Sequence, residues 1–215
     1  MLEMAHTMLK HLFLLLLFIS QPSYANTWEL ATSEHDVQIY TRPQAASALD
    51  EVKGVVFIQT TRQAALALIT NAEAAQTWMH NSGGTTLLTQ IDTHQALIYT
   101  VIKTPWPLLD RDAVVDVTLQ EDPQNHSMRI DMRGLPDYLP KKDDKVRIPR
   151  LTGAWLLEPQ EDGILKVTYE LNLDPGGDSP TWLVNTFSAD SLHQTLVNLR
   201  TSLSPTEHIQ LSMLD

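Results

Sequence analysis

Apolar and polar residues alternate most regularly over residues 164–173, towards the C-terminal end of the chain. A period of two predicts a β-strand with one face in an apolar interior and the other in water or a second layer. Asp-Pro-Gly-Gly at 174–177 predicts a turn, because glycine frees the backbone and proline restricts it. Ser179 and Pro180 are typical of an N-cap and a first helical position. Leucine and phenylalanine then recur with helical spacing as far as Leu203, so a helix of about 24 residues and roughly 36 Å is expected.

Shorter patterns upstream predict further strands and helices, and together they indicate an α+β fold. Strands are expected at 28–31, 37–40, 52–59, 85–91, 95–103, 111–120, 127–134 and 146–157, and helices at 62–69 and 72–79. We found no repeat and no linker, so we expect one domain over 26–204 and a tail over 205–215. In this domain the long C-terminal helix would cross a curved antiparallel sheet.

The N-terminal residues differ from the rest in having a short basic start and an apolar run. Lys10 precedes the apolar residues 12–19, and Ser-Tyr-Ala at 23–25 resembles a signal peptidase site. The run is much shorter than the ~20 residues that span a bilayer. We therefore expect a signal peptide over 1–25, cleavage after Ala25, and a periplasmic or secreted protein. An uncleaved anchor and a buried N-terminal helix are the alternatives.

Composition and charge narrow the possible partners. Apolar residues make up 43% and charged residues 19% of the chain, as in ordinary globular proteins. There is no cysteine, so disulfides and thiol chemistry are excluded. The net charge of −11 repels phosphate groups at long range. We therefore expect no nucleic acid partner and no lasting adsorption to an acidic membrane, although a brief membrane contact remains open.

The sequence contains no recognisable catalytic or metal-binding motif. His80, His94 and His193 have no second ligand at helical spacing, so structural or surface roles are expected and no metal is predicted. There is no Gly-x-Ser-x-Gly elbow and no phosphate-binding glycine loop. We accordingly expect no cofactor and no enzymatic activity.

Two loops differ in character. Residues 104–110 place Trp106 between two prolines and two leucines directly after them, where an ordinary turn would be polar. These side chains either cap the core or form a gate over a cavity, and the sequence leaves both open. Residues 137–145 carry a mixed charge run, which is most often a solvated surface.

Arg111 and Asp112 form the most informative charged pair. Neighbours on a strand point to opposite faces, so only one of the two can face the interior. A buried charge needs a partner. We expect a salt bridge that fixes the preceding loop, with contact to a ligand as the alternative.

Several segments resemble one known family in order and spacing. Trp-Pro-Leu-Leu-Asp-Arg-Asp at 106–112 looks like the signature of START domains, the lipid-transfer domains related to the steroidogenic acute regulatory protein. Val-Arg at 146–147 and Gly-Ala-Trp at 153–155 resemble the next segment of that family. Asp-Pro-Gly-Gly at 174–177 and Trp-Leu-Val-Asn at 182–185 resemble its C-terminal signature. The leading helix of longer members is absent.

The resemblance covers nearly all of residues 27–203 and implies a helix-grip fold. In this fold a curved antiparallel sheet wraps the C-terminal helix and encloses an apolar tunnel for one lipid-sized molecule. It also implies that residues 106–109 and the C-terminal helix form a mobile gate. The expected function is binding and shuttling of a hydrophobic molecule by a monomer. A cyclase- or hydratase-type enzyme and a ligand-free interaction module are the alternatives.

Apolar faces of the predicted strands and helix supply the candidate ligand contacts. Pockets for such ligands are mostly apolar with a few polar groups, and two methionines in one stripe suit a flexible ligand. The candidate ligand-binding residues are Tyr99, Val101, Trp106, Leu108, Arg111, Val115, Val117, Met128, Ile130, Met132, Trp155, Tyr169, Leu171, Leu183, Phe187 and Leu192.

Overall fold

The computed structural model describes residues 27–44 and 47–204, so the predicted signal peptide and the predicted tail lie outside the described residues. Strands and helices follow the predicted α+β order. The strands are β1 (Glu29–Glu34), β2 (Val37–Gln44), β3 (Ser47–Gln59), β4 (Ser82–Gln90), β5 (Gln95–Ile102), β6 (Arg111–Glu121), β7 (Met128–Gly134), β8 (Val146–Arg147), β9 (Arg150–Pro159) and β10 (Ile164–Asp174). The α-helices are α1 (Arg62–Ile69), α2 (Ala75–Trp78) and α3 (Thr181–Leu203).

Ten strands form one curved sheet that does not close. Its order is β1-β2-β3-β10-β9-β7-β6-β5-β4, with every pair along this path antiparallel, and β8 lies parallel to β6 at its side. The long helix α3 packs mainly on β3 and β2. This is the predicted helix-grip arrangement, and the α+β fold is confirmed.

The strand register defines which side chains face α3. A Cβ placed on Gly54 of β3 would lie 2.3 Å from Leu196 Cδ1 and 3.3 Å from Leu192 Cδ2, so Gly54 lies on the side of the helix. Directly paired residues share a face of a sheet. Gly54 pairs with Tyr169, Tyr169 with Trp155, and Trp155 with Ile130. We call this side the inner face and the opposite side the outer face.

Three local predictions are wrong. The strand expected over 146–157 is interrupted at Ile148 and Pro149, and its first two residues pair with β6 instead of continuing β9. The helix expected over 72–79 is limited to α2. Ser179 does not cap α3, because the cap position is Pro180 and no side chain bonds the first turn. None of the helices in the described part of the chain is long and apolar enough to cross a membrane.

Candidate functional site

The two halves of α3 pack differently against the sheet. In the C-terminal half Leu192, Leu196 and Leu199 are at most 3% exposed, and they belong to the main core. No residue from 181 to 191 is buried, although Leu183 and Phe187 are apolar and lie one helical turn apart. The close approach of α3 to β3 at Gly54 therefore involves only the C-terminal half of the helix.

Several apolar residues on the inner face of the sheet also keep accessible surface. Val117 pairs with Met132, Met132 with Gly153, and Gly153 with Leu171, so all four lie on the inner face. Each is only partly buried. These residues and the N-terminal half of α3 are therefore the part of the grip that is not fully buried. Partly buried apolar residues between a sheet and a helix suit a hydrophobic ligand.

A stack of aromatic rings lies on the inner face. Trp155 stacks on Tyr169 with ring centroids 3.9 Å apart and planes 8° from parallel, and Trp78 meets Trp155 edge-on at 6.0 Å. Burial raises the pKa of Tyr169 to about 12, so its hydroxyl stays protonated. This hydroxyl has no hydrogen-bond partner among the described residues and can donate to a polar group of a ligand.

Arg111 is a buried charged group on the inner face of β6, where it pairs with Ile102. The residue is 4% exposed. Its Nη1 donates to the Leu109 carbonyl at 2.6 Å and to Thr104 Oγ1 at 3.4 Å, and its Nη2 donates to Ser179 Oγ at 2.8 Å. Its Nε has no partner among the described residues. Burial lowers the pKa of Arg111, and nearby Asp110 opposes that shift.

Asp112 lies on the outer face, where it forms a buried ion pair with Arg147. Arg147 Nε and Nη2 donate to the two carboxylate oxygens at 2.8 and 3.0 Å, and both side chains are 1% exposed. Tyr99 donates to the same carboxylate at 3.0 Å. Desolvation would raise the pKa of Asp112, but these hydrogen bonds outweigh it and hold the pKa below its ordinary value.

The same arginine also fixes the segment 135–145 over the outer face. Arg147 Nη1 donates to the carbonyls of Pro136 and Leu139 at 2.8 and 2.9 Å, and Nη2 donates to that of Pro140 at 3.3 Å. The expectation of a salt bridge that fixes the Trp106 loop is wrong, because the inner-face residue Arg111 makes no salt bridge among the described residues. The ion pair is instead that of Asp112 with Arg147 on the outer face, and it fixes segment 135–145. Arg111 itself holds that loop through neutral oxygens.

The Trp106 loop (residues 104–110) projects its tryptophan into solvent. Trp106 is 92% and Leu109 52% exposed, so the tryptophan does not cap the core. Trp182, in the first turn of α3, is 69% exposed. Because Arg111 bonds both Leu109 and Ser179, the loop and the start of α3 meet at this end of the sheet.

Most of the sixteen sequence-predicted ligand residues do lie on the inner face, by the register of the strands. They are Arg111, Val115, Val117, Met128, Ile130, Met132, Trp155, Tyr169 and Leu171. Leu183 and Phe187 lie on the loosely packed half of α3, and Leu108 is half-buried in the Trp106 loop. Leu192 instead fills the core beside Gly54, and Trp106 lies outside.

The prediction that Tyr99 and Val101 face the interior is wrong. Tyr99 pairs with Val114, and Val101 with Asp112, on the outer face. The inner face of β5 instead carries Ile98, Thr100 and Ile102, which the sequence analysis missed. Segment 135–145 covers the outer side, with Lys142 Nζ 4.4 Å from the Tyr99 ring centre, so apolar residues were favoured on both faces. Alternation alone gives no signal for the correct face in such a strand.

Two clefts open at the surface, and the second reaches Met132, Gly153 and Leu171 from the other side of the sheet. One of about 570 Å³ lies where β3 leads into α1, beside Gln59, Arg62 and Gln160. The other, of about 310 Å³, is on the outer face beside Trp28 and Arg42. Polar and charged residues are among those that line both clefts, although apolar atoms supply more of each surface.

Known proteins share this architecture and sequence. The family model for the START domain matches residues 22–203. A STAR-related lipid transfer protein from Xanthomonas axonopodis is 31% identical, with a TM-score of 0.76 over 82% of this chain and 98% of that one. An uncharacterized protein of Pseudomonas aeruginosa is 32% identical over 178 residues, which are 83% of this chain and 87% of the relative.

A more distant structure shares the fold alone. Human StAR-related lipid transfer protein 5 is 17% identical, with a TM-score of 0.75 over 94% of this chain and 98% of that one. Members of this family generally bind lipids or other hydrophobic ligands. The family match, the close bacterial relatives and the helix-grip fold agree, and this chain belongs to the START domain family.

Proposed function

We propose that this protein is a non-enzymatic carrier that holds one lipid-like molecule between the inner face of the sheet and the N-terminal half of α3. The observation that supports it most is the difference between the two halves of that helix. Leu196 and Leu199 are completely buried, whereas no residue from 181 to 191 is. A grip whose only task was stability would gain by burying both halves.

Partly buried apolar surface inside the grip can supply the binding energy. A C18 chain that buries most of its methylenes at ~0.8 kcal/mol each gains on the order of 10 kcal/mol, before the entropy lost on binding. Val117, Met132 and Leu171 offer this surface, and Met132 adapts to different chain shapes because its side chain is unbranched.

Entry and release are proposed to occur where the Trp106 loop meets the start of α3. Trp106, Leu109 and Trp182 expose large apolar surfaces there. Tryptophan is favoured at the interface between membrane and water. A brief contact of these side chains with a bilayer would let the loop or the helix move while the ligand passes into lipid without crossing water. We also propose that the carrier works in the periplasm or outside the cell, as the N-terminal pattern predicts.

Catalysis in the same interior has less support. An acid–base enzyme needs a group whose pKa lies near the working pH. Tyr169, with its pKa raised to about 12, is a poor base. Arg111 remains charged and is held by the Trp106 loop and Ser179.

The test is to purify the exported protein and analyse organic extracts by mass spectrometry, together with uptake of a fluorescent fatty acid from vesicles. We expect one bound hydrophobic molecule per chain. Val117→Trp, which fills the inner face, should lower uptake several-fold, whereas Thr118→Trp on the outer face of the same strand should not. A wild-type protein that is empty in extracts and takes up no fluorescent lipid would contradict the proposal.

A further inference from the structure

Arg111 is a buried cation without a carboxylate partner. Its three described hydrogen bonds go to a carbonyl and two hydroxyl oxygens, all neutral. Asp110 acts on Arg111 electrostatically but makes no described hydrogen bond to it, and its carboxylate is paired with Lys103 at 2.7 Å. A guanidinium removed from water and left without a hydrogen-bonded counter-charge is unfavourable. The fold therefore places a buried guanidinium here that no described carboxylate bonds.

Arg147 shows how this protein partners a buried guanidinium when the role is structural. Its Nε and Nη2 edge takes both oxygens of Asp112. On Arg111 the same edge meets only the Ser179 hydroxyl through Nη2, and Nε has no partner among the described residues. This Nε–Nη2 edge binds a planar carboxylate or two oxygens of a phosphate with two parallel hydrogen bonds.

The position of Arg111 relates this edge to the proposed carrier. The residue lies on the inner face, and it contacts both the Trp106 loop and the residue before α3. Ala113 and Val115 follow it along the inner face of β6, where they are buried in an apolar cluster with Ile148 and Leu151, and Val117 beyond them is only partly buried. The inner face therefore changes from charged to apolar along this strand. A charged head and an apolar chain would match this order of surfaces.

We infer that Arg111 recognises the anionic head of the carried molecule, a carboxylate or a phosphate attached to an aliphatic chain. The inference rests on the proposed carrier function and adds the class of its ligand. The head lies beneath the Trp106 loop, where it displaces or shares the Ser179 bond, and the chain extends towards Tyr169.

The test compares ligands that differ only in the head. Hexadecanoic acid, hexadecyl phosphate and hexadecan-1-ol, each below its micelle concentration, compete at neutral pH with the uncharged dye N-phenyl-1-naphthylamine bound to the purified protein. The wild type should prefer the acid and the phosphate to the alcohol by about tenfold or more, the value of one charge-assisted hydrogen bond pair. Arg111→Met should lose this preference and keep its affinity for the alcohol.

Two further variants provide the controls. Arg133→Met removes a surface cation whose side chain is 70% exposed, and it should keep the full preference. Arg111→Lys keeps the charge but not the paired donors, and it should keep a reduced preference. The wild-type comparison needs no variant, so it decides the question even where a substitution prevents folding.

The possible results separate this inference from the carrier function. Equal affinity of the wild type for acid and alcohol, or an unchanged preference in Arg111→Met, would overturn the anionic head alone. Failure of the dye and of all three chains to bind would overturn the carrier and the inference together. Acetate and inorganic phosphate should not compete with hexadecanoic acid. If they do, the site takes free anions and the assignment to a lipid head is wrong.

Discussion

Arg111 and Arg147 lie on opposite faces of the sheet at the same end, since β6 residues Arg111 and Asp112 pair with Val146 and Arg147 of β8. Arg147 bonds a carboxylate and three carbonyls, and it fastens segment 135–145 to the sheet. Arg111 lies on the inner face and, among the described residues, bonds only neutral oxygens. Equal burial thus accompanies two different roles. We propose that the arginine with a carboxylate partner stabilises the fold and that the one with an unbonded Nε serves ligand binding.

The largest expected effect on stability is at the ion pair of Asp112 with Arg147. Arg147→Met leaves the Asp112 carboxylate buried without its partner, and we expect a loss of about 3–5 kcal/mol in the free energy of unfolding. Urea denaturation followed by circular dichroism measures it. Arg133→Met, which breaks an exposed pair with Asp116, should cost less than about 1 kcal/mol. Similar losses in the two variants would contradict the structural role of Arg147.

Acid should act on the same pair. The pKa of Asp112 is lower in the folded protein than in the unfolded chain, so its stabilisation is complete above the unfolded value of about 4 and is lost as the pH falls through the folded value. We expect the urea midpoint of the wild type to fall more steeply below about pH 4 than that of Arg147→Met. Parallel profiles would show that the pair does not set the acid stability.

Tyr99 offers a smaller test of the ion pair of Asp112 with Arg147. Tyr99→Phe keeps the ring beside Lys142 but removes the hydrogen bond to Asp112. Hydrogen bonds to charged groups are worth about 1.5–3 kcal/mol, and we expect a loss near the lower value because Arg147 still holds the carboxylate. Equilibrium unfolding of the two proteins in parallel measures the difference. No change at all would place the hydroxyl outside the network.

The smallest effect on stability is expected at Arg111. Arg111→Met removes an uncompensated charge while it leaves the Leu109 carbonyl and Ser179 hydroxyl unbonded, and these terms oppose each other. We expect the free energy of unfolding to change by less than about 1 kcal/mol in ligand-free protein. A loss as large as that in Arg147→Met would remove the contrast between the two arginines.

The sequence predicted the larger elements because their patterns match their packing. Residues 164–173 alternate, and β10 has one face in the core; the long apolar stripe likewise became α3. Prediction failed where burial did not follow the usual pattern. Segment 135–145 covers the outer face of β5, so apolar side chains such as Tyr99 and Ile98 occur on both faces of this strand. The sequence pattern therefore does not show which of the two faces the helix.

Side-chain hydrogen bonds between distant residues were also beyond the pattern. Ser179 looks like a helix cap locally, but its hydroxyl accepts from Arg111, which is far away in sequence. In the same way, adjacent positions on a strand place Arg111 and Asp112 on opposite faces, but they do not show that Asp112 pairs with Arg147. Such partners depend on register across strands, and no local period encodes register.

Gly54 has a consequence for the dimensions of the compartment. Any side chain there would overlap the end of the Leu196 side chain, so either Leu196 would have to change its position or the helix would have to move away from the sheet. In the proposed carrier, Gly54 would therefore help to set the distance between the sheet and α3 that is available to a ligand. Alanine or serine at position 54 would then increase the distance between the sheet and the C-terminal half of α3. Related carriers that hold larger ligands could arise from substitutions at this one position.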